Sequence, residues 1–304
     1  MRSGARAAFA AIAVLVGAGA CTDLGGLAAG GGGVDGSVDS SPPDATSPID
    51  GGADAALDVS PPDGATIDGG ADAEAGNGCP GTAGPSPVRV GGGTQAFCID
   101  GTEVTNAQYM QFLTATKGTV TPPAGCAWKT SYQPGIWPYP SGKDANPVAF
   151  VDSCDAAAFC TWAGKRLCGK IGGGATPSGG YLDPTKSQWF FACTNAGDGL
   201  HAFPYGNTFV ARVCNNLEND AGGSLPVGTE KQCVGGFPGI YDMSGNVWEL
   251  EDMCLPADAG AAHDQCLIRS GAWTSDDTVM SCSAAFTVER QYTANDVGFR
   301  CCSL

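Results

Sequence analysis

Fourteen of the fifteen cysteines fall between Cys79 and Cys302. An even, dense set confined to one stretch reads as a disulfide framework, and such frameworks persist in oxidising compartments. No Cys-x-x-Cys spacing occurs, so neither a zinc ribbon nor a thioredoxin-like redox site is signalled. A chain stapled this densely folds into a loop-rich domain held by cross-links rather than by long layered elements.

The fifteenth cysteine, Cys21, follows an apolar run from Ala7 to Ala20 headed by Arg2 and Arg6. A basic head, a short apolar core and a small-residue end describe an export signal over residues 1–21. The run is shorter than the about 20 apolar residues of a spanning helix. Val16-Gly17-Ala18-Gly19-Ala20-Cys21 is similar to a bacterial lipobox, with Ala18 where leucine is usual. Cys21 is therefore expected to carry a lipid anchor to the envelope, the plain secretory signal being the alternative.

Charge divides the remainder. Residues 22–78 hold eleven acids, no Lys, Arg or His and no aromatic residue. They cannot bury enough apolar surface to offset the entropy of ordering, so they are expected to be a disordered acidic Gly/Asp/Pro linker. An imperfect repeat, SPPDATSPIDGGADA and SPPDGATIDGGADA, lacks the strict period of calcium-binding β-rolls. As a coil, this linker would span about 40 Å. With 31 acids against 15 Lys and Arg, the chain has no basic patch suited to nucleic acid.

Residues 79–304 hold every Trp and Tyr and are long enough for one sizeable core. Three helices are expected. Thr105 caps the first, with Tyr109, Phe112 and Leu113 on one face. Ser153 caps the second, with Ala156, Phe159, Cys160 and Ala163 inward and Gly164 as its stop. Asp183-Pro184 opens the third, with Trp189, Phe190 and Cys193 inward. Short strands and long loops make up the rest, an α+β class.

Several motifs then occur in order. They are Phe97-Cys98-Ile99-Asp100, Glu103-Val104-Thr105-Asn106, Asn146-Pro147-Val148 and the run from Asp155 to Leu167. Tyr241-Asp242-Met243-Ser244-Gly245-Asn246-Val247-Trp248-Glu249, Arg269-Ser270-Gly271-Ala272-Trp273 and Gly298-Phe299-Arg300-Cys301 follow. Through nearly all of 97–302 the domain resembles the formylglycine-generating enzyme family, also called the sulfatase-modifying-factor domain. The resemblance implies an elaborated C-type-lectin-like α+β fold, disulfide-rich and poor in regular structure. It also implies pairing of Cys160 with Cys301 and of Cys193 with Cys282. Cys254 with Cys266, Cys214 with Cys233, and Cys79 with Cys98 are plausible local bridges. Cys126, Cys154, Cys168 and Cys302 stay unassigned.

The resemblance further implies calcium, held by the Asp242 side chain, the Gly245 and Val247 carbonyls and the Glu249 carboxylate. Mixed carboxylate and carbonyl oxygens suit that ion; the alternative is that Asp242 and Glu249 only cap turns around Trp248. A second calcium site is implied near Asn215 and Asn216. Active members of the family oxidise a sulfatase cysteine to formylglycine with oxygen and copper(I) held by two thiolates. Those positions here are Ser275 and Met280, and a hydroxyl and a thioether do not supply thiolate charge, so copper is not expected.

Other chemistries find little footing. Gly164-Lys165-Arg166-Leu167-Cys168-Gly169-Lys170 imitates a phosphate loop but follows a helix and ends in Ile171. His201 and His263 are expected at the surface, and Asp276, Asp277 and Glu289 as solvated loop acids. The expected role is a non-catalytic module binding an exported protein, peptide or glycan ligand. The ligand surface comprises Trp273, Thr274, Ser275, Asp276 and Asp277. The alternative is a family enzyme modifying an exported protein or peptide with altered chemistry.

Overall fold

The computed structural model describes residues 78–80 and 83–304. The chain divides into two units, Met1–Asp68 and Gly69–Leu304, and every described residue belongs to the second. The export segment, Cys21 and the acidic linker up to residue 77 lie outside the described residues.

Helix α1, Asn106–Thr116, begins at Thr105 as its sequence requires. The Thr105 hydroxyl accepts from Gln108 N at 3.3 Å, and Gln108 Oε1 accepts from Thr105 N at 2.9 Å, a reciprocal capping box. Helix α2, Ser153–Trp162, starts one residue away from expectation. Asp152, not Ser153, is the cap: its carboxylate accepts from Cys154 N and Asp155 N, while Asp155 answers Asp152 N. A charged acceptor facing two N–H groups that lack intrahelical partners prevails over a hydroxyl. Lys129 Nζ braces both acids, 2.5 Å from Asp152 and 3.0 Å from Asp155. Helix α3, Gln188–Cys193, is shorter than expected. Asp183-Pro184 makes a preceding turn, its carbonyl taken by Lys186 and Ser187 N–H, and Ser187 supplies the cap.

Two four-stranded sheets frame these helices. The first runs β1 (Pro87–Val90), β2 (Phe97–Asp100), β8 (Cys301–Ser303), β3 (Arg166–Leu167), all antiparallel. The second runs β6 (Ala285–Glu289), β5 (Gln265–Arg269), β4 (Trp248–Leu255), β7 (Val297–Phe299). Only the β4–β7 pair in it is parallel, and the β4–β5 register shifts between Leu250 and Cys254.

The core falls into two main clusters. Tyr109, Phe112, Phe159 and Phe299 centre the first, with Tyr109 stacked on Phe159 at 5.7 Å. Phe97, Ile99, Trp189, Phe191, Ile240 and Met243 centre the second. The phosphate-loop imitation is structural: Lys165 Nζ sits buried, 2.6 Å from Asp100 Oδ1.

All fourteen described cysteines are in disulfides. Cys160 joins Cys301 and Cys193 joins Cys282. Cys79–Cys98, Cys214–Cys233 and Cys254–Cys266 are the local bridges. The four unassigned cysteines pair as Cys126–Cys154 and Cys168–Cys302. Successive residues of a strand face opposite sides, so the neighbours Cys301 and Cys302 tie β8 into different clusters, the first and the second respectively. Among the described residues no helix is long and apolar enough to cross a membrane. Seven disulfides mark an exported protein.

Candidate functional site

The turn after β5 carries the expected ligand surface. Arg269 ends the strand fully buried, its guanidinium 4.6 Å over the Trp189 ring and donating to the Tyr181 and Cys282 carbonyls. Ser270 (φ 61°) and Gly271 (φ 70°) then reverse the chain through left-handed conformations. A Cβ at Gly271 would stand 2.8 Å from Met280 Sδ and 3.3 Å from Ser275 Cβ. Glycine is therefore required there on two counts, conformation and space.

That same geometry packs Ser275 and Met280 against Gly271. Ser275 Oγ accepts from Ala272 N at 2.9 Å, inside the turn. Met280 is 1% exposed and packs with the Cys214–Cys233 bridge. Its carbonyl accepts from the Ser244 and Ser270 hydroxyls. Both positions are thus built into the packing of the turn. With every described cysteine disulfide-bonded, no thiolate stands near them to hold a soft metal.

Trp273 leads the exposed part. Its N–H donates to Asn246 O at 3.0 Å, which pins the β5 turn to the 245–246 turn. Its indole is the wall shared by two cavities. One, of about 270 Å³, is lined by Ile136, Tyr139, Pro140, Pro147 and Phe150, with Asn106, Lys143, Asn146 and Ser224 supplying polarity. The other, of about 190 Å³, is lined by Asn215, Asn216, Leu217 and Asp220 to Gly223. Trp273 Nε1 is buried without a hydrogen-bond partner. Thr274 bonds Asp296 at 2.5 Å, and Asp276 caps a 3-10 turn by accepting from Thr278. Asp277 is exposed at the start of that turn. Glu289 lies on β6 beside His263, 3.2 Å away, so it is occupied apart from the two aspartates.

The residues expected to bind calcium differ in how well they fit. Asp242 (φ 58°) opens the turn into β4, and its Oδ2 accepts from Gly228 N at 2.5 Å. Burial raises its carboxyl to about 6. Glu249 already has a cation: Arg300 donates to both its oxygens at 2.6–2.9 Å, and Trp189 Nε1 adds a bond at 2.7 Å. Those three N–H donors, one of them shared by both oxygens, occupy most of the acceptor directions a carboxylate offers, so Glu249 in this arrangement is a poor fit for the ion. Asn215 and Asn216 fit better. Their Oδ1 atoms are buried without partners, in the cavity that Asp220 also lines. Carbonyl oxygens with a carboxylate nearby are donors calcium accepts. Among the described residues no group of three or more His, Cys, Asp or Glu could hold a metal.

The two segments interlock. Gly245 (φ 75°) lies so close to Asn215 that a Cβ would meet its carbonyl at 2.3 Å. Asn246 Oδ1 accepts from Asn215 Nδ2 and Leu225 N, and Asn246 Nδ2 donates to Glu103 Oε1 at 3.0 Å. Glu103 is fully buried with its other oxygen unpartnered. Burial, then the Asp242 carboxylate, hold its carboxyl well above the usual range. The sequence reading missed Ile136, Tyr139, Phe150 and Arg300. The first three come from a loop with no periodic pattern, whereas Arg300 sat within a quoted motif.

These features define a disulfide-clamped α+β domain that presents a recessed, tryptophan-walled surface on a rigid turn. The profile of the "Sulfatase-modifying factor enzyme 1-like domain" matches residues 59–303, and the chain belongs to that formylglycine-generating-enzyme family. It is 28% identical over 201 residues to the "Inactive C-alpha-formylglycine-generating enzyme 2" of Bos taurus, covering 58% of each chain. It is 26% identical over 216 residues to the "Formylglycine-generating enzyme" of Mus musculus, covering 59% of this chain and 51% of that one. The chain thus spans little more than half the length of these relatives. Among solved structures, that titled "Crystal Structure of CarF" is similar over 73% of this chain and 96% of that one. The identity is 21% and the TM-score 0.47.

Proposed function

We propose that this is a non-catalytic member of the family, a binding module that holds an exported protein, peptide or glycan at the Trp273–Asp277 surface. The observation that carries the reading is the state of Ser275 and Met280. They occupy the positions where the family resemblance implies copper thiolates, and here one is a hydroxyl bonded within its own turn and the other a buried thioether. A relative named as inactive stands among the similar proteins beside ones named simply as formylglycine-generating enzymes. The paired cavities at Trp273 supply an apolar recess and a polar one side by side, the mixture that binding sites use.

In this reading Cys21 carries the lipid that fixes the protein to the envelope, and the acidic linker holds the domain clear of the surface. Calcium, where bound, is held by Asn215 and Asn216 and stiffens the wall of the polar recess. The test is incubation of the purified protein with copper(I), oxygen and a cysteine-containing sulfatase-type peptide, followed by mass spectrometry. The expected result is an unchanged peptide mass; conversion of the cysteine to formylglycine overturns the reading. A mature N-terminus other than acylated Cys21 removes the anchor.

A further inference from the structure

A cavity of about 430 Å³ lies away from Trp273, between α1 and the loop that follows Lys129. Met110, Leu113 and Thr114 line it from the helix, at the i, i+3, i+4 spacing that puts them on one face. Thr130, Ser131, Tyr132 and Gln133 line it from the loop, and Trp137 closes one side. Ile136 and Tyr139 of that same loop face the recess beside Trp273, so the two grooves flank one aromatic ridge.

The lining contains no Asp, Glu, Lys, Arg or His. Two lysines adjoin the lining in sequence: Lys129, whose ammonium is spent on Asp152 and Asp155, and Lys117, exposed at the C-cap of α1 beside the lining residue Gly118. What remains is an apolar and aromatic floor with a rim of three hydroxyl side chains and one amide. The floor is set before any ligand arrives. Trp137 is held edge-on by Tyr109 at 6.2 Å and Tyr139 at 5.1 Å, and Tyr109 Oη donates to the Tyr132 carbonyl at 2.8 Å. Tyr132 is 5% exposed, yet its hydroxyl is buried with no hydrogen-bond partner. With that atom sealed from solvent, Tyr132 offers the groove no hydroxyl.

We infer that this groove binds a neutral hexopyranose, as the terminal sugar of a glycan. Such a ring has an apolar C–H face to lay on Trp137 and Met110. Its hydroxyls both donate and accept, as the Thr114, Thr130, Ser131 and Gln133 side chains do. A charged ligand would find no counter-ion among the lining residues. An apolar peptide would find only three hydroxyls and one side-chain amide for its backbone groups. The volume is within the range of small-molecule sites.

The test is saturation-transfer NMR on the purified full chain. The probes are methyl glycosides of glucose, galactose, mannose and N-acetylglucosamine. Glucuronic acid, glucose 6-phosphate and an uncharged apolar pentapeptide serve as comparisons. At least one neutral hexoside is expected to bind and to change tryptophan fluorescence. Thr114→Trp, on the exposed side of α1, fills the groove and is expected to abolish binding. Gln133→Ala, which removes the exposed rim amide, is expected to weaken it about tenfold, equivalent to about 1.4 kcal/mol. Near-UV circular dichroism is used to confirm that both variants are folded. Trp273→Ala is expected to leave binding unchanged, which separates this groove from the surface proposed above. Failure of every neutral hexoside, binding that survives Thr114→Trp, or preference for a charged sugar or the pentapeptide overturns the inference.

Discussion

Arg300 and Glu249, 51 residues apart in sequence, meet as a fully buried bidentate pair with contacts of 2.6–2.9 Å. The guanidinium also donates to the Asp100 and Tyr241 carbonyls, so one side chain ties the first sheet, the 241–247 turn and β4 together. Burial opposes its charge, but Glu249 raises its affinity for the proton above the ordinary arginine value. Removing one partner leaves the other charge buried and unpaired, which typically costs about 3–5 kcal/mol. Arg300→Met is expected to destabilise the domain by that amount in urea denaturation. A loss under about 1 kcal/mol would mean that the pair does not hold these elements.

How much of this was legible beforehand depended on the range of each interaction. Thr105 and its helix were readable because cap, box and stripe lie within a dozen residues. The caps at Asp152 and Ser187 were misplaced because several adjacent polar residues were equivalent candidates, and only the direction of the N–H groups selects among them. The three local bridges were readable from closeness in sequence. Cys168–Cys302 spans 134 residues and was not. At the candidate site, Trp273, Ser275 and Met280 were marked by motif position. The recess around Trp273 was not foreseen, because loops from 136–150 and 222–224 reach it only through tertiary packing. Glu249 was read as a metal ligand from the family resemblance alone; its pairing with Arg300, 51 residues away, was not legible in the sequence.

Calcium binding has a discriminating test. If Asn215 and Asn216 hold the ion, calcium raises the melting temperature of the native protein and chelator reverses the rise, because a ligand specific to the folded state stabilises by mass action. Asn216→Ala is expected to abolish the increment, while Asp242→Asn keeps it. The opposite pattern would move the site to the 242–249 turn, and no increment in the native protein would remove calcium from the account.

Acidity should stabilise the domain over a defined window. Burial and then the neighbouring Asp152 carboxylate raise Asp155 to about 7, against the pull of Lys129. Burial raises Asp100 to about 6, against Lys165. In the unfolded chain both would titrate near about 3.9. The folded state therefore holds these protons more tightly, and stability falls as pH rises from about 4 through about 7. Thermal denaturation should show a lower melting temperature at about pH 8 than at about pH 5. Asp155→Asn should reduce the drop. A melting temperature that climbs steadily across that window would contradict the assignment.

The vicinal cysteines make the cross-links separable. Cys160–Cys301 closes a separation of 141 residues and Cys254–Cys266 one of 12. In the chain-entropy account the cost of losing a bridge grows with the logarithm of the loop, so the long bridge is worth about 5 kcal/mol and the short one about 3 kcal/mol. Cys301 is also packed in the aromatic cluster with Phe159 and Phe299, whereas Cys254 sits half-exposed near the end of β4. Replacing both partners of each bridge with alanine avoids a stray thiol. Denaturation of the two double variants is expected to rank Cys160→Ala/Cys301→Ala well below Cys254→Ala/Cys266→Ala, the added cavity widening the gap. Equal losses would place the stabilisation in local geometry instead of in the restriction of the unfolded chain.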